Sequence, residues 1–290
     1  MGAGINMDFL SKLRIGMFLV FAAMSPALFA QNGLPAKPQN HVTALNARQI
    51  MERSVAATER NCEASDHYTY MERDEDRRLD SRGQVKSEDA QVTKMALVNG
   101  ARFEQVVEDN GHPPTAEEQR TNGENLDKLE HETPEQRTIR LGKVQDNRTF
   151  LGDMLDAFDF ELVGEEMVDG RAAYVIQATP HAGYQGHDKY AKLLNRIEGK
   201  LWVDKENFGW IKVDGEVIQS FSVGLFVARV QRGSHVIVEE TRVGDATWVP
   251  QRIEIRASAR ILFVKNLDVD KILTYFDYLI VPDEPYTASR

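Results

Sequence analysis

Ser222 is the residue whose surroundings most suggest chemistry. It lies in Ser220-Phe-Ser-Val-Gly224, the outline of a nucleophile elbow in which a serine is raised on a strained strand-to-helix turn. Ser220 stands where the elbow has its first glycine, and no strand-to-helix turn follows, so the segment does not support a serine hydrolase. His181, His187 and Asp188 share one glycine-containing loop and offer three potential metal ligands. Their spacing fits no strong ligand motif, and solvated loop residues explain them. Glu165-Glu166 and Glu239-Glu240 are neighbours on predicted strands. Successive strand side chains point to opposite faces, so neither pair can serve as a carboxylate dyad across one ligand. There is no G-x-G-x-x-G, Walker loop, H-E-x-x-H or cysteine pair. The expectation is a protein without catalytic residues, metal or cofactor.

The elements around these residues point to a mainly β, α+β protein. Ile50, Met51, Val55 and Thr58 recur at helical spacing, which predicts an amphipathic helix over 47–61 with Asn46 and Asn61 as its caps. Beyond it the period changes to 2. Strands are predicted at 68–74, up to 94, 102–108, 160–167, 171–179, 200–204, 208–218, 225–232, 235–243, 247–264 and 272–281. Asn99-Gly100 and Asp169-Gly170 mark hairpins. Short connections favour a meander of nine to eleven neighbouring antiparallel strands. Two segments break the pattern: a charged stretch over 113–137, read as a helical insertion or lid, and 183–195, read as a short helix between strands.

The N-terminus carries Lys12 and Arg14, an apolar run from Ile15 to Met24, Pro26, and Ala30 before Gln31. That order is a cleavable secretory signal over 1–30, followed by a disordered leader over 31–43 and one domain over 44–285. The apolar run falls short of the ~20 residues that span a bilayer. With no cysteine at the cut, the expectation is a soluble periplasmic protein, and the single cysteine, Cys62, allows no internal disulfide. Loss of the signal takes the formal charge from −10 to −11. Such acidity argues against nucleic acid and anionic membranes as main partners.

The strand pattern is one-sided. Leu201 and Val203 share a face, as do Ile211, Val213 and Val217, and then Val249, Ile253 and Ile255. Trp202, Trp210 and Trp248 fall on the opposite face by the same counting. Ten strands at ~4.8 Å span roughly 48 Å, whereas a helix of about 15 residues is only ~22 Å long. The sheet must therefore curl around the helix. Either it closes on its own side chains, or it leaves an apolar concavity lined by those eight residues, suited to an acyl chain or another hydrophobic ligand.

The order of signal, one amphipathic helix and a long antiparallel run resembles the LolA/LolB-like periplasmic carriers, in particular the bacterial outer-membrane lipoprotein-sorting-protein-like group. The stretch from Phe160 through Asp169-Gly170 to Ile176, Pro180, the run Glu198-Gly-Lys-Leu-Trp-Val-Asp204, and Trp248-Val-Pro250 carry that resemblance across 44–282. It implies an unclosed β-barrel around a plug helix and a monomeric, non-enzymatic carrier or chaperone for a lipid or lipoprotein acyl chain. The alternative is an envelope-stress sensor or adaptor whose ligand is another envelope protein. An outer-membrane barrel is a third possibility, disfavoured by the chain end Tyr286-Thr-Ala-Ser-Arg290.

Overall fold

The period-3.6 segment folds as helix α1 (Ala47–Ser65). Asn46 caps it reciprocally: its side chain accepts from the Gln49 N–H at 2.9 Å, and Gln49 Oε1 accepts from the Asn46 N–H at 3.1 Å. The helix runs past Asn61 to a C-cap at Asp66. Asn61 is therefore not its end, and its side chain instead accepts from the Trp248 N–H at 3.4 Å. The computed structural model describes residues 45–79, 84–98, 101–140, 150–186, 191–223, 228–244, 247–261 and 265–281. The signal over 1–30, the leader over 31–43, the Asn99-Gly100 turn, His187 and Asp188 lie outside them.

Twelve strands form one antiparallel sheet: β1 (Tyr68–Leu79), β2 (Val85–Val98), β3 (Ala101–Asp109), β4 (Phe158–Val168), β5 (Arg171–Pro180), β6 (Ile197–Asp204), β7 (Trp210–Val217), β8 (Phe221–Val223), β9 (Ala228–Val230), β10 (His235–Val243), β11 (Thr247–Ile261) and β12 (Lys265–Ile280). Helices α2 (Ala116–Glu130), α3 (Phe150–Ala157) and α4 (Ala191–Leu194), with a helical stretch over 134–140, complete the described elements. The spatial order β3-β2-β1-β12-β11-β10-β7-β6-β5-β4 leaves β3 and β4 as edges that do not pair with each other, so the barrel is unclosed.

Along the main path two pairings depart from a pure meander. β1 lies beside β12, and β7 beside β10. The chain thus enters the sheet in its middle, builds outward to β3, and passes through α2 and α3 to the opposite edge at β4. The β8–β9 hairpin stands off the main path because β11, at 15 residues, outruns β10 and pairs its far end with β9.

Paired residues of neighbouring strands share a face, which fixes the concave side. Leu201 lies opposite both Ile176 and Val213, and Val238 opposite both Val213 and Ile253. All five join Ile50, Met51 and Val55 of α1 in one buried cluster. Strands β6 and β7 approach closely at one point where glycine is required. Gly199 faces Gly215 across β6 and β7, and a Cβ on Gly199 would sit 2.4 Å from the Asp214 carbonyl oxygen.

The β3 edge is covered. The charged segment folds as α2, whose Thr115 cap accepts from the Glu118 N–H at 3.3 Å. Asn122 of α2 pairs with the free backbone edge at Val106: its Oδ1 accepts from the Val106 N–H at 3.3 Å and its Nδ2 donates to the Val106 carbonyl at 3.0 Å. A side-chain amide here takes the place of another strand, which is one way a sheet edge is blocked.

Two outcomes test this geometry. Gly199→Ala is expected to lower unfolding stability by about 2 kcal/mol, measured by urea denaturation; an unchanged midpoint contradicts the close approach. Asn122→Ala is expected to leave the far-UV circular dichroism intact while increasing concentration-dependent association in light scattering. Unaltered scattering would show that Asn122 does not guard the edge.

Candidate functional site

The buried face of α1, with Ile50, Met51, Ser54, Val55, Ala57 and Thr58, rests on the concave side of the sheet. Its polar members are satisfied there. Trp210 Nε1 donates to Ser54 Oγ at 2.6 Å, and Thr58 Oγ1 donates to the Ser54 carbonyl at 3.0 Å. At the helix start, an Arg48 guanidinium nitrogen donates to the Leu155 carbonyl at 2.9 Å, tying α1 to α3. Leu151, Met154 and Ala157 of α3 enter the same cluster.

The eight residues expected to line the concavity are all buried, at 0–9% exposure. Leu201, Val203, Val213, Ile253 and Ile255 belong to the cluster under α1. Ile211 does not: it packs with Ala173 and Trp248 in a second cluster that also takes Val168 and Trp202. Val217 and Val249 are buried outside both clusters. The displacement of Ile211 has a local cause. A register shift between Trp202 and Val203 sets Trp210 opposite Val203, so Trp210 turns inward to α1 at 0% exposure and Ile211 outward. Trp210 is thus a core residue, contrary to the alternation counted from the sequence, while Trp202 and Trp248 pack in the second cluster.

The β6–β7 corner is held by charge. Asp204, 1% exposed, is bonded by Arg171 and accepts from the Glu206 and Asn207 N–H groups at 2.9 and 3.0 Å. Burial alone would raise its carboxyl, yet Arg171 and these N–H groups hold it below its ordinary value. Asn207 Oδ1 then accepts from Trp248 Nε1 at 3.0 Å. These contacts explain the Trp202-Val-Asp204 and Trp248-Val-Pro250 runs as corner architecture.

Elsewhere the concave face is polar. Glu72, Asp74 and Asp76 of β1 lie opposite Tyr275, Leu273 and Lys271 of β12 and share their side of the sheet. Lys271, 5% exposed, bridges Asp74 at 2.5 Å and Asp76 at 3.1 Å. Beside this row stand Tyr70, Tyr275 and Tyr278, with ring centroids 5.2 Å apart for Tyr70 and Tyr278. Arg102 donates to the Tyr70 hydroxyl at 3.1 Å, and Tyr278 donates to the Pro250 carbonyl at 2.5 Å. Burial, with Tyr70 and Glu240 nearby, disfavours the Tyr278 phenolate, and burial pushes the Glu240 carboxyl up to about 8. The period-2 series Tyr70, Glu72, Asp74 was readable as one face. Tyr278 was not, because a register shift at 69–71 and the positive φ of Asp277 move it out of phase.

The residues first considered for chemistry are dispersed. Ser222 is exposed on β8 opposite Arg229 of β9. His181 Nδ1 meets the Asp159 carboxylate at 2.8 Å. Glu165 bonds Lys205 at 2.7 Å while Glu166 accepts from Trp202 Nε1 at 2.8 Å. Glu239 pairs with Lys212 at 3.3 Å, apart from Glu240 beside Tyr278. A cleft of about 460 Å³ lies between α2 and β3, lined by Phe103, Val106, Gly123 and Leu126 among others.

At the β4 side the apolar floor emerges into solvent. Leu162 lies opposite Ile176 and so shares the concave face, and Met167 lies opposite Ala172 on that same side. They are 39% and 68% exposed, and Val163 at the bulge between them is 47% exposed. This rim carries large exposed apolar side chains on the concave face of β4, and α1 and α3 border that strand.

The Glu240 shift has a signed consequence. Its folded value lies above the ordinary 4.5, so between about 4.5 and about 8 the folded chain binds more protons at this site than the unfolded chain. Its contribution to stability therefore falls as pH rises through that window. Glu240→Gln is expected to flatten the Tm-versus-pH curve across the window and to raise Tm at its alkaline end. Parallel curves for the two proteins would show that Glu240 does not titrate there.

No family model matches the chain, and no curated protein matches it. Solved structures similar to it include a LolA superfamily protein from Nitrosomonas europaea, 13% identical over 83% of this chain and 96% of that one, TM-score 0.34. A DUF1329 family protein from Desulfovibrio piger is 11% identical over 83% and 95%, TM-score 0.34. A putative outer membrane lipoprotein-sorting protein domain from Vibrio parahaemolyticus is 9% identical over 81% and 95%, TM-score 0.36.

Proposed function

We propose that this chain is a non-enzymatic periplasmic carrier or chaperone that shields a hydrophobic ligand, a lipid or a lipoprotein acyl chain, on the concave face of its sheet. The observation that supports this reading most is the floor itself: an apolar face of an unclosed sheet, covered by α1 in its centre and exposed at Leu162 and Met167 on its rim. Under α1 the floor is filled by the chain's own side chains. The ligand therefore lies along the β4 rim and reaches the floor where α1 yields. Among the described residues the polar contacts that fasten that helix to the sheet include Trp210 to Ser54, Trp248 to Asn61 and, at the helix end, Arg102 to Ser65 and Asp66. The dispersed polar groups serve as corner ties and ion pairs, which favours carriage over catalysis.

Native mass spectrometry of the protein purified from an envelope fraction is expected to release a lipid or acylated peptide. Leu162→Asn combined with Met167→Asn is expected to abolish that mass while leaving Tm near the parent value. A ligand-free parent protein that also fails to take up added fatty acid would overturn the reading.

A further inference from the structure

The two edges of the sheet are treated differently. At β3, Asn122 of α2 occupies the free N–H and C=O of Val106. At β4, no strand or side-chain amide occupies the outer edge among the described residues. β4 is 11 residues long, broken only by the register shift between Leu162 and Gly164. A long open edge is a template for another strand unless charge or irregularity blocks it. Here the charge is all of one sign: Asp159, Glu161, Glu165 and Glu166 are the ionisable residues of β4, and no lysine or arginine joins them.

The alternation sorts these residues. Phe158, Phe160, Leu162 and Met167 take the concave side, opposite Pro180, Ala178, Ile176 and Ala172. Asp159, Glu161 and Glu166 take the convex side, opposite Thr179, Gln177 and Ala173, while Glu165, opposite Tyr174, falls on the concave side and is neutralised there by Lys205 at 2.7 Å. The edge therefore offers backbone groups flanked on the concave face by an apolar row interrupted only by the Lys205-paired Glu165, and on the convex face by an acidic row. A second copy of this chain would set the acidic row of β4 against itself, and like charges directly opposite destabilise a strand pair.

We infer that the β4 edge docks an extended segment of a partner protein in which basic and apolar residues alternate, added as a further antiparallel strand. Its apolar residues extend the concave floor past Leu162 and Met167, and its basic residues stand opposite Asp159, Glu161 and Glu166. Backbone pairing supplies affinity, and the alternation supplies specificity. This docking is independent of whether the concave face carries a lipid.

The test uses the whole mature protein and the fluorescently labelled peptide Lys-Val-Lys-Val-Lys-Val-Lys, with the block isomer Lys-Lys-Lys-Lys-Val-Val-Val as control. The alternating peptide is expected to bind at least about tenfold more tightly in anisotropy titrations and to protect β4 amides in hydrogen exchange. Glu161 forms no ion pair among the described residues, so Glu161→Lys should keep the parent Tm while weakening the alternating peptide by about tenfold. Equal binding of the two isomers, indifference to Glu161→Lys, or protection confined to other strands would overturn the inference. So would a dimer in sedimentation whose exchange protection maps to β4.

Discussion

The seating of one helix on one face of an open sheet is the interaction on which the rest of the molecule depends. Ile50, Met51 and Val55 supply the burial, and the Trp210–Ser54 hydrogen bond fixes where along the sheet that burial occurs. An indole N–H and a serine hydroxyl in an apolar interior are costly when unpaired. Each removes the other's cost only in one placement of the helix. The bulge that turns Trp210 inward is therefore the detail that locates α1, and α1 in turn decides which part of the concave face is floor and which is rim.

The concave side is divided by chemistry. Strands β4 to β7 and β10 to β12 give it an aliphatic and aromatic half, while β1 brings Glu72, Asp74 and Asp76 to the same side. Lys271 is buried between two carboxylates, an arrangement in which removing one partner is far more costly than the pair is stabilising. Such a group makes the β1–β12 seam intolerant of slippage, since a shift by one residue would move Lys271 to the other face.

Much of this was legible in the sequence. The helix start at Asn46, the Asp169-Gly170 turn, the run of antiparallel strands and the apolar alternation of Leu201, Val203, Val213, Ile253 and Ile255 all follow from local periodicity. What escaped were features set by register between strands. Ile211 and Trp210 exchanged faces because of a shift whose partner residue lies on β6. Helix α3 was missed because its eight residues contribute too few turns for a periodic signal, and the tertiary packing of Leu151 and Met154 secures it. The pairing of β1 with β12 has no local signature at all, because sequence neighbours carry no trace of a partner so distant.

That pairing has a consequence for how the chain acquires its structure. Lys271 and Asp74 meet across 197 residues, so the seam joining the first three strands to the rest cannot form until the last strand is available. Loop closure over such a span is paid before any contact across it is made. Until then β1 is an open flank, with its acidic residues unscreened by Lys271 and its tyrosines bare. Without that last strand the chain is two separate half-sheets, β1 to β3 and β4 to β11, which only β12 can join.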